Sequence, residues 1–231
     1  MKISDIVLAF RFQNAERLFE RFSHYNLQYC DCFVALDDRS GSDSLFENIR
    51  RHPKCASAVR KESSSLFAEV CDQEVMHALA RATGRRFMMY LDLDEVLNPS
   101  FLQEVDSIPD VYDVYSSPYL TLYPDEFNYI TAGIYGNRRR YIMSRTCDGH
   151  FDLSDIGMLH GPHFPLERNR SASKFYITSP LYHLSLSSPE VVEKRLAFYR
   201  ERDPECRYQK VGYSHFQAEH PYAPLEFRFE V

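Results

Sequence analysis

The chain has no tryptophan, no Cys-x-x-Cys pair and no apolar run approaching the length of a membrane span. A transmembrane helix needs about 20 consecutive apolar residues, and the run Ile6–Phe10 is far shorter, too short even for the apolar part of a secretory leader. The cysteines at 30, 32, 55, 71, 147 and 206 have no zinc-type spacing. Reduced thiols in a cytoplasmic protein without a transmembrane segment are therefore expected. Positive charge is also in deficit: 27 Lys and Arg stand against 33 Asp and Glu, a net charge of −6. That balance argues against a protein that binds by neutralising a phosphate polyanion, so nucleic acid is excluded as the main partner. Internal repeats, low-complexity tracts and linkers are missing too, which predicts one domain over 1–231. What is present is ordinary for a globular protein, 44% hydrophobic and 26% charged residues, enough to bury a core. Aromatic content is its one departure, with 16 Tyr and 17 Phe.

Buried strands alternate with amphipathic helices over the first hundred residues. Ile6–Phe10 is a continuous apolar run, the pattern of a strand covered on both faces. Asn14 is expected to cap a helix carrying Leu18, Phe19, Phe22 and Tyr25 on one side. Cys32–Leu36 is a second strand ending in the polar turn Asp37–Asp43, Leu45–Arg51 a short helix, and Ala56–Arg60 a third strand. The next helix has an apolar stripe of Phe67, Val70, Cys71, Val75, Leu79 and Ala82, closed by Gly84 where a positive φ is wanted. Phe87–Leu91 is then a fourth strand, running into Asp92-Leu93-Asp94-Glu95. This alternation predicts an α/β fold with a mainly parallel central sheet flanked by helices. From Val111 to Met143 the chain is rich in Tyr and β-branched residues and reads as strands and loops. Leu181–Leu184 reads as a short strand, and Ser188-Pro189-Glu190 as a helix start with Ser188 as cap.

Loops at the carboxyl ends of parallel strands line the ligand crevice, and three charged clusters fall there: Asp37-Asp38, Arg60-Lys61-Glu62 and Asp92-Leu93-Asp94-Glu95. Acidic residues after a strand also cap helices and solvate loops, which is the plain alternative for Asp37 and Asp38. Asp92 and Asp94 are one residue apart at a strand mouth and can approach one hard divalent cation from the same side; the plain alternative is a capping, salt-bridging acidic turn. Oxygen ligands favour Mg²⁺ or Mn²⁺, ions that keep positions open for substrate phosphates. The triplet Arg138-Arg139-Arg140 suits a phosphate or anionic acceptor, or is a solvated basic turn. His160-Gly161-Pro162-His163 shapes a turn or contacts substrate, with no further Cys or His completing a zinc set.

A Leu-Asp-Asp turn after strand two, a basic residue after strand three, a helix, and then Tyr90-Leu-Asp-Leu-Asp-Glu-Val-Leu-Asn-Pro99 resemble the nucleotide-sugar glycosyltransferases of the GT-A (Rossmann-like) fold. The likeness is greatest to the broad family 2 group and its relatives with a DxDE motif, and it covers residues 1 to about 105. It extends to Leu181–Tyr199, where Tyr182-His183, Ser187-Ser188-Pro189-Glu190 and Lys194-Arg195 resemble the C-terminal His-plus-helix element of such enzymes. The resemblance implies a nucleotide-sugar-binding half, 1–105, and an acceptor half, 106–231, with the C-terminal helix. It implies that Asp37 or Asp38 contacts the base or ribose, that Arg60 pairs with the base edge or the phosphates, and that Asp92 faces the ribose and the metal's water shell. Asp94 would ligate Mn²⁺ or Mg²⁺, and His183 would complete the metal site or stand as an ordinary strand-end histidine. An inverting enzyme also needs a general base; the chain lacks the family's clear Glu-Asp pair, and the candidates are Asp148, Asp152 and Asp155, then Asp125 and His160. The Tyr-rich stretch 112–141 is expected to flank a carbohydrate-type acceptor, with half its rings in the sheet core. The implied activity is metal-dependent transfer of a hexose or deoxyhexose from a nucleoside diphosphate. Two alternatives are a nucleotidyltransferase, disfavoured by the absence of a Gly-rich loop after strand one, and a non-catalytic nucleotide- or carbohydrate-binding module.

Overall fold

The run Ile6–Phe10 becomes the middle of a strand because it is apolar on both sides, and every residue from Ile6 to Phe10 is at most 1% exposed. The computed structural model describes residues 1–41, 43–62, 69–146, 151, 162–165, 171–206 and 213–229. Its strands are β1 (Ile6–Phe12), β2 (Cys32–Asp37), β3 (Cys55–Arg60), β4 (Phe87–Tyr90), β5 (Glu95–Leu97), β6 (Val114–Thr121), β7 (Asn128–Ile130), β8 (Arg138–Arg145), β9 (Lys174–Tyr176), β10 (Leu181–His183) and β11 (Tyr222–Pro224). The helices are α1 (Glu16–Asn26), α2 (Asp43–Arg50), α3 (Glu69–Ala82), α4 (Ser100–Glu104) and α5 (Pro189–Arg202).

One large sheet carries the order β3-β2-β1-β4-β8-β6-β10-β5, with β9 added to β6, and β7 and β11 form a separate ribbon. The first four strands in that order are mutually parallel. Because β2 and β4 flank β1 on opposite sides, the order reverses at β1, the switch point outside whose carboxyl ends such sheets bind their ligands. The antiparallel strand β8 then closes against β4 and β6. Short β10 lies between β6 and β5 and sets His183 opposite Glu95.

Alternation along β1 divides the core. Ile6, Leu8, Phe10 and Phe12 pack with Phe22 of α1, Ile49 of α2 and Phe33 of β2, whereas Val7 and Ala9 pack with Met76 and Ala80 of α3. Ser188 caps α5 as expected, accepting from the Val191 N–H at 3.3 Å, and Gly84 ends α3 with φ +71°.

Three expectations are corrected. Asn14 does not cap α1: with φ +45° it turns back, and its Oδ1 accepts from the Gly41 N–H at 2.7 Å, tying the exit of β1 to the exit of β2. Leu18 is 41% exposed, because α1 presents Phe22, Tyr25 and Asn26 inward. In α3 the expected apolar stripe is rotated: Val75 is 40% exposed and Cys71 is exposed, while Asp72, Gln73 and His77 are buried with Val70, Met76 and Ala80. Ion pairs satisfy Asp72, so the helix can turn its polar side to the sheet. Of the tyrosines between 112 and 141, Tyr115, Tyr119 and Tyr135 are buried.

Candidate active site

The acidic turn joins β4 to β5 at the topological switch. Glu95, fully buried, braces it: its Oε2 accepts from the Asp92 N–H at 2.9 Å, and its Oε1 accepts from the Tyr119 hydroxyl at 2.9 Å. Asn26 of α1 holds the edge strand from behind, donating from Nδ2 to the Glu95 carbonyl at 2.7 Å and accepting from the Leu97 N–H at 3.0 Å. A side-chain amide thus substitutes for a missing neighbour strand.

Asp92 and Asp94 are held by different groups. The Tyr90 hydroxyl donates to Asp92 Oδ1 at 2.8 Å, and Arg140 of β8 reaches Asp92 Oδ2 at 3.0 Å and also pairs with Glu95. Asp94 Oδ2 lies 3.3 Å from His183 Nε2 and 3.1 Å from the Arg195 guanidinium of α5. His183 stacks on Tyr119 with centroids 4.9 Å apart, and its Nδ1 lies 3.0 Å from the Ser185 hydroxyl. The imidazole is therefore fixed at both nitrogens, with Nε2 aimed at Asp94.

Electrostatics follow from these contacts. Burial pushes the Asp92 carboxyl up, but Arg140, His163 and the Tyr90 hydrogen bond outweigh it and hold the group well below the usual carboxylate range. Asp94 is likewise lowered against its own burial by His183 and Arg195. Burial drives His183 down despite Asp94, with Arg195 and Arg140 adding to the effect, which favours the neutral ring.

A second cluster sits at the ends of β2 and β3. Asp37 is fully buried: its Oδ1 accepts from the Ser40 N–H and hydroxyl, both at 2.7 Å, and its Oδ2 accepts from Arg60 Nε at 2.6 Å. Arg60 also pairs with Asp43 and lies over the Phe46 ring. Asp38 meets Lys61 Nζ at 2.8 Å, and Lys61 meets Asp72 at 2.8 Å. Asp72 in turn binds Arg11 of β1 at 2.9 Å. Arg11 remains protonated, since the surrounding Tyr90, Glu69 and Asp72 overcome the burial that opposes its charge.

The structure thus brings Asp92, Asp94 and His183 together and pairs Asp37 with Arg60. Asp148, Asp152, Asp155 and His160 lie outside the described residues. Asp125 serves a turn, its Oδ1 accepting from the Phe127 N–H at 2.8 Å. His163 stacks on Tyr90 at 5.0 Å and lies 3.3 Å from Arg140. The basic triplet is no solvated turn: it opens β8, and alternation sends Arg139 to the Ser116 and Ile177 carbonyls, each at 2.6 Å, and Arg140 to the acidic turn. Sequence reasoning missed Arg11, whose signal was a charge at the carboxyl end of an otherwise buried strand. It also gave Arg140 and Arg195 no partners.

A carboxylate and an imidazole are donor types that Mn²⁺ or Mg²⁺ accepts when substrate phosphates and water complete the shell, and here Asp94 and His183 face each other, with Asp94 also paired to Arg195. Among the described residues there is no group of three or more His, Cys, Asp and Glu that could hold a metal by itself.

No protein-family model matches the chain, and no curated protein matches it. Solved structures do. Residues 1–349 of S. aureus TarS in complex with UDP-GlcNAc superpose with a TM-score of 0.53 at 13% identity, over 94% of this chain and 69% of that one. The longer S. aureus TarS structure gives 0.54 at 12% identity, and this chain covers 42% of it. GalNAc-T7 with UDP, GalNAc and Mn²⁺ gives 0.52 at 13% identity, over 90% of this chain and 52% of that one. The likeness is one of fold, and the fold is the GT-A, Rossmann-like α/β architecture shared by nucleotide-sugar glycosyltransferases. Among the described residues no helix is long and apolar enough to cross a membrane.

Proposed function

We propose that the chain is a metal-dependent, inverting glycosyltransferase that moves a hexose or deoxyhexose from a nucleoside diphosphate to a carbohydrate-type acceptor in the cytoplasm. The observation that carries this reading is the convergence of Asp94, from the turn after β4, with His183, from the end of β10, at the switch point of the sheet. In this reading residues 1–105 bind the donor and 106–231 the acceptor.

The nucleoside lies against Asp38 and the Asp37–Arg60 brace, and Asp92 faces the ribose. Asp94 and His183 would hold Mn²⁺ or Mg²⁺, which when bound stabilises the charge left on the departing diphosphate. Glu95 keeps the turn in register, and Tyr119 holds both Glu95 and the His183 ring in place. An acceptor hydroxyl attacks the anomeric carbon from the face opposite the diphosphate and gives its proton to a carboxylate, for which Asp148 and Asp155 are the candidates. The complexes of TarS with UDP-GlcNAc and of GalNAc-T7 with UDP and Mn²⁺ support this assignment through the shared fold.

Calorimetric titration with UDP tests the assignment. Binding strengthened by Mn²⁺ in the wild type and lost in Asp94→Ala is expected; equal binding by both proteins rejects it. A second reading, nucleotidyl transfer, is favoured by one comparison. A Bacillus anthracis protein assigned as a glucose-1-phosphate thymidylyltransferase matches with a TM-score of 0.51 at 7% identity, over 96% of its own length. The products separate the two, since a nucleotidyltransferase releases pyrophosphate and a glycosyltransferase a nucleoside diphosphate.

A further inference from the structure

Two arginines enter the acidic turn from elements far from it in the chain, and their placement says more than charge balance requires. Arg140, on β8, has a side chain only 12% exposed, and its guanidinium lies between the rings of Tyr90 and Tyr119, 5.9 and 5.6 Å from their centroids. Its terminal nitrogens reach Asp92 and Glu95. Its Nε is buried without a hydrogen-bond partner among the described residues. Arg195, one helical turn and a half into α5, reaches Asp94 at 3.1 Å, with its guanidinium 6.0 Å from the Phe216 ring centroid. It stays protonated, because Asp94 and its neighbours outweigh the burial that opposes the charge.

Three carboxylates so close together would repel the phosphates of a nucleotide. One divalent ion offsets only part of that charge. Guanidinium groups are planar, permanently charged donors whose fork matches a phosphate as well as it matches a carboxylate. A diphosphate can therefore take over the terminal N–H groups of Arg195 while a cation takes over Asp94, and can share those of Arg140 with Asp92 and Glu95.

We propose that Arg140 and Arg195 are the diphosphate-binding residues of this site, and that in the nucleotide-free protein they hold Asp92, Glu95 and Asp94 until the phosphates arrive. This rests on the nucleotide-sugar reading and adds an anion-binding role which that reading leaves unassigned. The arginines act on the diphosphate whatever the base or sugar attached to it.

Inorganic pyrophosphate is the direct probe, since it carries neither base nor sugar. Titrated calorimetrically in Mg²⁺, the wild-type chain is expected to bind it, Arg195→Gln to bind about tenfold more weakly or worse, and Arg195→Lys to recover part of the loss. Arg140→Gln should show the same weakening; should that variant unfold, Arg195→Gln and Arg195→Lys still decide. Equal affinity in wild type and Arg195→Gln overturns the proposal, as does a wild type that binds no pyrophosphate. If the arginine variants behave as expected but no nucleotide sugar is bound or hydrolysed, the glycosyltransferase reading falls and the anion site stands.

Discussion

The Asp94 carboxylate and the Arg195 guanidinium, 101 residues apart in the chain, meet at 3.1 Å beside the His183 ring. This contact fastens α5 to the turn after β4, so the C-terminal helix completes a site whose acids come from the first half of the chain. Replacing Asp94 with Asn keeps the shape of the side chain and removes its charge. Activity should fall at least about a hundredfold, while thermal unfolding moves by only a few degrees; near-normal turnover would place the metal elsewhere.

Asn26 predicts a stability effect with a functional echo. Its amide satisfies two backbone groups of β5, the Glu95 carbonyl and the Leu97 N–H. Asn26→Leu leaves both buried and unpaired, a cost of about 2 kcal/mol. For a chain of this size that corresponds to a drop of roughly 4–8 °C in Tm. Calorimetry checks the figure, and amide exchange should show the Leu97 N–H losing protection in the variant.

The half-buried chain Arg11–Asp72–Lys61–Asp38, with Asp72 at its centre fully inside, ties α3 to the ends of β1, β2 and β3. Asp72→Ala leaves Arg11 with Glu69 and Lys61 with Asp38, and the loss of two charge-assisted contacts should cost about 2 kcal/mol. Asp72→Asn should recover part of that through hydrogen bonding alone. Urea unfolding of the three proteins measures the order wild type, Asn, Ala.

His77 sets an acid limit on stability. Only 2% exposed, with its edge toward Phe151 and Phe164, it has its pKa pushed down to about 4 by burial, from 6.5. Between those values the unfolded chain binds a proton that the folded chain refuses, so stability falls as pH drops from 6.5 to 4, by about 3 kcal/mol at the lower end. The lowered His183 acts in the same direction from below its ordinary value. Denaturation curves across this range should be flatter for His77→Leu than for the wild type.

Much of this architecture was legible because of where burial is two-sided. Strands such as β1, β2 and β4 are apolar on both faces, and so they stand out as short continuous runs, with a charged residue close behind each: Arg11, Asp37 and Asp92. His183 was reached through a C-terminal resemblance, and the structure explains its place by the register of β10 against β5. The face of α3 was misjudged because periodicity assumes that polar residues seek water, whereas Asp72 finds two cations inside. Arg140 and Arg195 stood out in the sequence without their partners, because those lie 48 and 101 residues away and no local pattern encodes such a pairing. Asn14 looked like a helix cap by residue type, yet its left-handed backbone gave its side chain to another loop.

The most direct measurement of the account's central claim is the release of nucleoside diphosphate from a panel of nucleotide sugars, in Mn²⁺ and without acceptor, by the wild type and Asp94→Asn. Slow, metal-dependent release from one donor by the wild type, abolished in Asp94→Asn, is the predicted result. Release of pyrophosphate instead, or no turnover of any donor by a folded wild-type protein, would contradict it.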